Sequence, residues 1–302
     1  MNRPNRPIAG RISLWQLQHR YAPYLFISPF LLIFAVFLVW PLARSIILAG
    51  TSTGSTTPTL GNLAFLMHDR LFWGAALNTT LYTFILLLVQ VPLALGLALA
   101  LNSPPLRGKQ LLRLAFFSPF LIGNVFAAVL FAVLLDTRHG LLNRSLSFVG
   151  FQTVEINWLG DPRLVMVSVL LTSVWLTTGF AMLCFLAALQ SVNLDLYDAA
   201  RVDGAGHWAQ FWHVTLPSIR PVFFFLILAG IIQSYQLFEL PYLLFGGPGP
   251  GSRALTIVMY LYTTGFEAGD FHYASAIGWA MVLLLGLFTG ILLAVYRRSE
   301  RN

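Results

Sequence analysis

The fold class this sequence predicts is an all-helical integral membrane protein, and three observations carry that expectation. Of its 302 residues, 57% are hydrophobic and only 10% are charged, and the mean hydropathy is +0.75, a balance foreign to soluble domains. The apolar residues gather into six stretches of about twenty residues or more, the length that crosses a bilayer as helix. No alternating apolar and polar pattern recurs, and lipid forbids open sheet edges.

The six spans fall at 23–43, 79–101, 111–135, 164–189, 221–245 and 273–296. Arg3, Arg6, Arg11 and Arg20 precede the first, the order found in a secretion signal. The uncharged run 21–43 is too long for one and no small-residue cleavage site follows it, so it reads as a retained span behind a mobile cytoplasmic tail, 1–20. Pro92 should kink the second span, and Pro119 lies near the start of the third. Gly286 and Gly290 form a GxxxG pair in the last span, a pattern that admits close helix approach and is common by chance.

Basic residues set the orientation. With the N-terminus inside, Arg3, Arg6, Arg11, Arg20, Arg107, Lys109, Arg113, Arg201, Arg220, Arg297, Arg298 and Arg301 are cytoplasmic, against Arg44, Arg70, Arg138, Arg144, Arg163 and Arg253 outside. This bias puts both termini and the 190–220 loop in the cytoplasm. The domain organisation is thus a tail (1–20), a six-span domain (21–296) and a C-terminal tail (297–302). The net charge of +7 is scattered at span ends and forms no nucleic-acid patch.

Much chemistry is missing. A lone Cys184 permits no internal disulfide, and there is no G-x-x-x-x-G-K-[ST] to cradle ATP phosphates. Residues 50–54 match G-x-S-x-G without the strand and helix that a nucleophile elbow needs. The six histidines never pair with an acid at metal-ligand spacing.

The polar stretch 196–221 organises the rest. Asn193 can cap a helix whose first turns carry Asp195 and Asp198, and Gly204 can end it in the left-handed conformation. A second helix over 205–214 would place Trp208, Phe211 and Trp212 on one face and end at Pro217. From physics alone, an interfacial helix resting on lipid headgroups explains this equally well.

Asp198, Ala199, Ala200, Asp203, Gly204, Ala205, Phe211, Leu216 and Pro217 stand in register with E-A-A-x-x-D-G-A, an aromatic-bearing spacer, then L-P. The stretch resembles the EAA loop of bacterial ABC importer permeases, with Asp198 where that family usually has Glu. Weaker matches run along nearly the whole chain, among them 61–62, 140–143, 238–242 and 246–248, and these resemble the maltose- and glycerol-phosphate-type branch. The extra spans and large outer domain of the maltose permease itself are missing.

The resemblance implies a six-span type I importer permease in the bacterial inner membrane. Its loop would seat in an ATPase subunit through Asp198, Ala199, Ala200, Asp203, Gly204, Ala205, Trp208, Phe211, Trp212 and Pro217. It implies a second, similar permease, two ATPase subunits, an extracytoplasmic solute-binding protein, surrounding lipid and no nucleic acid. The chain would bind no cofactor and have no enzymatic site, ATP and Mg²⁺ residing on the ATPases. It also carries over two solute-lining stripes: Gly230, Gln233, Ser234 and Leu237 on the fifth span, and Leu176, Thr177 and Phe180 on the fourth. An aromatic with amides and hydroxyls suits a sugar or polyol; ordinary interhelical packing is the alternative.

Glu239, an intramembrane carboxylate just before Pro241, reads either as lining the path or as a partner for a neighbouring helix or for backbone freed by the proline, ahead of a proton relay. A self-contained secondary carrier or channel is the competing function. A carrier would show coupling-ion acids or inverted repeats, and neither is evident.

Overall fold

A computed structural model describes residues 14–51, 57, 59–103, 108–148 and 155–300. Those residues form helices joined by turns, with no β-strand element among them. Helix α1 (Leu14–Phe34) passes through a π-helical turn, Ala35–Val39, into α2 (Trp40–Ala49). Short α3 (Gly61–His68) precedes α4 (Arg70–Asn102), and α5 (Lys109–Ile122) is followed after one residue by α6 (Asn124–Leu134). Then come α7 (Leu141–Phe148), α8 (Val165–Gln190), α9 (Leu194–Val202) and α10 (His207–Gln210). A second π-helical turn, Phe211–Thr215, leads into α11 (Leu216–Tyr235), and α12 (Glu239–Phe245), α13 (Ile257–Tyr262) and α14 (Phe271–Glu300) complete the chain.

The long helices need little from their surroundings because helices satisfy their own backbone groups. Their hydroxyls do likewise: Thr79, Thr83, Thr172, Thr177 and Thr178 each donate to the carbonyl four residues earlier. Packing is then limited by how closely backbones approach. Ala94 and Ala98 of α4, both fully buried, let Met182 and Phe185 of α8 close against them. At Gly179 a Cβ would stand 1.9 Å from the carbonyl oxygen of Phe116, so α5 crosses α8 where only glycine fits.

Five stretches are long and apolar enough to cross a membrane: Tyr24–Ala49, Arg70–Asn102, Val165–Gln190, His207–Tyr235 and Phe271–Arg298. The third expected span departs from the pattern, since α5 and α6 meet at 102°. The fifth also differs. It begins earlier and stops at Tyr235, so the expected 221–245 helix is two elements separated by residues 236–238. Pro217 does not end the second loop helix either. The π-helical turn widens the backbone before it, with Leu216 N–H bonded to Phe211 O, and relieves the clash a proline makes with the carbonyl four residues back. Residues 14–20, expected to lie in a mobile tail, belong to α1, while 1–13 and most of the 51–59 loop lie outside the described residues. Helix α4 stays one element through Pro92. Cβ atoms at Gly286 and Gly290 would meet nothing among the described residues.

One carboxylate ties three helices together at the end opposite the 190–220 loop. Asp69 Oδ1 caps α4 by accepting from Leu71 N–H at 2.8 Å, and Oδ2 accepts from the hydroxyls of Tyr260 (2.6 Å) and Tyr273 (2.5 Å). Desolvation pushes this carboxyl up, but those hydroxyls and the N–H groups of Leu71 and Phe72 together outweigh it and hold Asp69 below its ordinary 3.8. Burial and Asp69 push the Tyr260 phenol up to about 12. A lowered folded value makes the contribution fully present above pH 3.8 and lost as pH falls through that lowered value. Replacing Asp69→Asn is expected to cost about 1–2 kcal/mol at neutral pH. The acid limb of the melting-temperature profile of the purified protein should flatten with it; an unchanged acid limb would show that the cluster does not contribute.

Candidate functional site

Two helix interruptions build a cleft. Gly123 adopts φ 80°, ψ 166°, a region open essentially to glycine alone, and this single residue turns α5 into α6. The other break lies at 236–238, where Phe238 sits at φ −141°, ψ −59° and α12 restarts at Glu239. The breaks face each other: α6 packs along α12, and Asn124 Nδ2 donates to Glu239 Oε2 at 3.3 Å. Backbone freed from a helix at membrane depth needs protein or water around it, and a cleft of about 410 Å³ opens here between α4, α6, α8, α11, α12 and α13.

Of the expected solute-lining residues, Leu176, Thr177, Gln233, Ser234, Leu237 and Glu239 all line this cleft. Phe180 and Gly230 do not. The Phe180 ring stacks on Phe120 with centroids 5.0 Å apart, and a Cβ at Gly230 would lie 2.5 Å from Leu87 Cδ2, so that glycine is where α11 presses on α4. Sequence reasoning missed Tyr82, Asn124, Ser173, Gln236 and Phe238. Gln236 lies off the stripe that a continuous helix would present; ending α11 at Tyr235 turns it inward. Asn124 did leave a signal, a Gly-Asn pair in the middle of an apolar run.

The lining is polar and already partly engaged. Tyr82 donates to Ser173 Oγ at 2.7 Å, and Thr177 donates to the Ser173 carbonyl at 2.7 Å. Ser234 Oγ is buried with no partner among the described residues. The second break is held from α13, where Thr256 Oγ1 donates to Leu237 O at 2.7 Å and Ile257 N–H donates to Thr79 Oγ1 at 3.2 Å. Hydroxyls, amides, one carboxylate and apolar faces of Leu176, Leu237 and Phe238 suit reversible binding of a hydroxyl-rich molecule. Among the described residues no group of three His, Cys, Asp or Glu could hold a metal ion.

The 190–220 loop forms the second site. Asn193 Oδ1 accepts from Asp195 N–H at 3.0 Å, capping α9. At its far end Gly204 takes φ +79°, while Ala205 N–H bonds Ala200 O at 2.8 Å in a Schellman-type closure. Gln210 Nε2 donates to Ala205 O, and the hydroxyls of Tyr197 and Thr215 meet at 2.9 Å, so the two loop helices are fixed to each other. Asp198 pairs with Arg201 at 2.9 Å on the exposed surface, a contact of little energetic weight. Ala199, Asp203 and Pro217 are exposed too. Trp208, Phe211 and Trp212 form one cluster with ring centroids 5.7–6.0 Å apart. Trp208 is 73% exposed and Trp212 49% exposed, an apolar surface on a polar loop that no described residue covers.

Because Gly123 alone permits the first break, Gly123→Ala is expected to destabilise the protein by about 1–3 kcal/mol. It should also separate residues 124 and 239: a cysteine pair at those positions that cross-links in the Gly123 background should no longer do so with alanine. Retained cross-linking and an unchanged melting temperature would show the bend does not depend on glycine.

Comparison with known proteins gives the family. Residues 63–302 match the model of the "binding-protein-dependent transport system inner membrane component". The chain is 31% identical over 284 residues to the lactose transport system permease protein LacF of Rhizobium radiobacter, covering 92% of this chain and 94% of that one. It is also 31% identical over 290 residues to the trehalose/maltose transport system permease protein MalF of Thermococcus litoralis, covering 93% and 96%. Among solved structures, one chain of a bacterial ABC transporter that imports the acidic polysaccharide alginate superposes with a TM-score of 0.83 at 25% identity, over 94% of this chain and 98% of that one. With its apolar helices, its interrupted spans and this match over most of its length, the chain belongs to the binding-protein-dependent transport system inner membrane component family.

Proposed function

We propose that this multi-pass protein is the permease subunit of an ATP-driven importer in a bacterial inner membrane, and that it passes a saccharide or related polyol through the cleft. The observation that carries the reading is that both sites lie on one rod. From His207 to Tyr235 the chain is helical without interruption, about 43 Å at 1.5 Å per residue. One end bears Trp208, Phe211 and Trp212 and the other bears Gln233 and Ser234. A displacement applied to the aromatic cluster is therefore delivered to the cleft.

In this reading the exposed aromatic face seats in an ATPase subunit, with Asp198, Ala199, Ala200, Asp203, Gly204, Ala205 and Pro217 shaping the contact. ATP and Mg²⁺ reside on two such ATPases, and an extracytoplasmic binding protein delivers the solute. A second permease supplies the far wall of the path, which fits the first span: no residue in its most apolar window is buried within this chain. Both termini and the 190–220 loop are cytoplasmic, as the basic residues demand. Closure of the ATPases and release of the solute then bias one two-state equilibrium from opposite sides. The lactose and trehalose/maltose names of the relatives support a saccharide cargo.

The turn at Gly204 tests the coupling. A valine at φ +79° is strained by about 1 kcal/mol or more, although the space around it is open. Gly204→Val should misaim the aromatic cluster while leaving the spans inserted. Transport and solute-stimulated ATP hydrolysis should fall together and co-purification of the ATPase should weaken, with normal amounts of permease in the membrane. Gly61→Ala, at the start of α3, serves as control. Full ATPase attachment and full stimulated hydrolysis in Gly204→Val would sink the coupling role.

A further inference from the structure

We infer that Glu239 sets the charge class of the cargo: the cleft admits neutral and amino-bearing saccharides and excludes acidic ones. This deepens the reading of the cleft as the solute path and rests on it. The alginate importer, which shares the fold, carries an acidic polysaccharide, so the architecture alone does not fix the charge of what passes.

The argument comes from what the lining holds. Glu239 is the only Asp, Glu, Lys, Arg or His among the residues that line the cleft; its other polar side chains are hydroxyls and amides. Its carboxylate is exposed to the cleft. One oxygen, Oε2, takes a single 3.3 Å hydrogen bond from Asn124, and no hydrogen bond or ion pair of Oε1 is present among the described residues. No cation of the lining offsets it. In the same lining Gln233 and Gln236 are exposed and present amides, while Ser234 Oγ is buried with no partner among the described residues.

A neutral sugar finds a matching surface here. Its hydroxyls donate to the open carboxylate oxygen and exchange hydrogen bonds with the two exposed glutamines. A protonated amino group meets the carboxylate directly. A uronate carboxylate would instead be brought beside a like charge, in partly desolvated surroundings and with no arginine or lysine to receive it, a repulsion that acts as selection against that class. The break in the helix is what makes this possible. Had α11 continued through 236–238, residue 239 would point along a different azimuth, and the chain places it instead at the restart, against Asn124 of the opposing break.

The test reads the charge of the cleft without requiring the cargo. In the assembled importer, with Cys184→Ala removing the native thiol, Gln233→Cys places a single reporter in the cleft. Its reaction rates with a trimethylammonium-bearing and a sulfonate-bearing methanethiosulfonate are compared, normalised to the same pair reacting with a small thiol in solution. The cationic reagent should be favoured by about tenfold, the change that one partly desolvated contact of about 1.4 kcal/mol produces. Adding Glu239→Gln should bring the normalised ratio near one, and Glu239→Asp should largely retain the preference. A ratio near one with Glu239 in place, or a ratio unmoved by Glu239→Gln, overturns the proposal. The ratio with native Glu239 decides the matter by itself if Glu239→Gln fails to assemble. Should neither reagent reach the reporter thiol of Gln233→Cys in an intact complex, the cleft is not a solute path, and the underlying reading fails in a way distinct from loss of charge preference.

Discussion

Everything in this molecule is arranged around the fact that lipid offers no hydrogen-bond partner. Continuous helices answer that constraint over most of the chain, and their few hydroxyls fold back onto their own carbonyls. The backbone is interrupted within expected spans at 123 and at 236–238, and these interruptions face each other across a polar cleft. Interruption and cleft require one another: freed peptide groups need a polar environment, and a polar cleft needs groups that an intact helix would keep to itself.

The same economy explains the rod from His207 to Tyr235. A helical loop that merely rested on the membrane would be free to end at Pro217. Instead the π-helical turn at Phe211–Thr215 absorbs the proline and keeps the helix whole. The loop is stiffened at its other side by the Schellman-type closure at Gly204 and by the Tyr197–Thr215 hydroxyl pair. The element is thereby held in one piece from the loop to Tyr235. The far end of the molecule is held in a different manner, by one carboxylate, Asp69, that joins α4, α13 and α14. Through α13, whose first residues grip Leu237 and Thr79, that cluster also reaches the wall of the cleft.

Glycines mark where the design is least tolerant, and for two different reasons. Gly179 is required by space, because the α5 backbone runs where its side chain would be. Gly123 and Gly204 are required by conformation, with open space around both but positive φ. The distinction matters for reading substitutions: alanine at Gly179 separates two helices, whereas alanine at Gly123 or Gly204 re-aims a chain direction.

The sequence by itself determined the membrane class, the approximate spans, the capped two-helix loop and most of the stripe that lines the cleft. All of these follow from local quantities: hydropathy over about twenty residues, cap and glycine chemistry, and a 3.6-residue period. Gln233, Ser234 and Leu237 were legible because α11 is regular up to Tyr235. Only the tertiary structure decided the rest. That Gly123 bends its span by 102°, that Pro217 is carried through a π-helical turn, that Phe180 turns to Phe120 and that Gln236 turns inward all depend on what packs alongside. A local pattern cannot say whether a proline or glycine will interrupt a helix, because the cost of freed backbone is set by the neighbours that do or do not receive it. Glu239 shows the division most clearly: its cost in a membrane was evident from its place in the chain, but its partner Asn124 lies 115 positions away and meets it only because two breaks coincide.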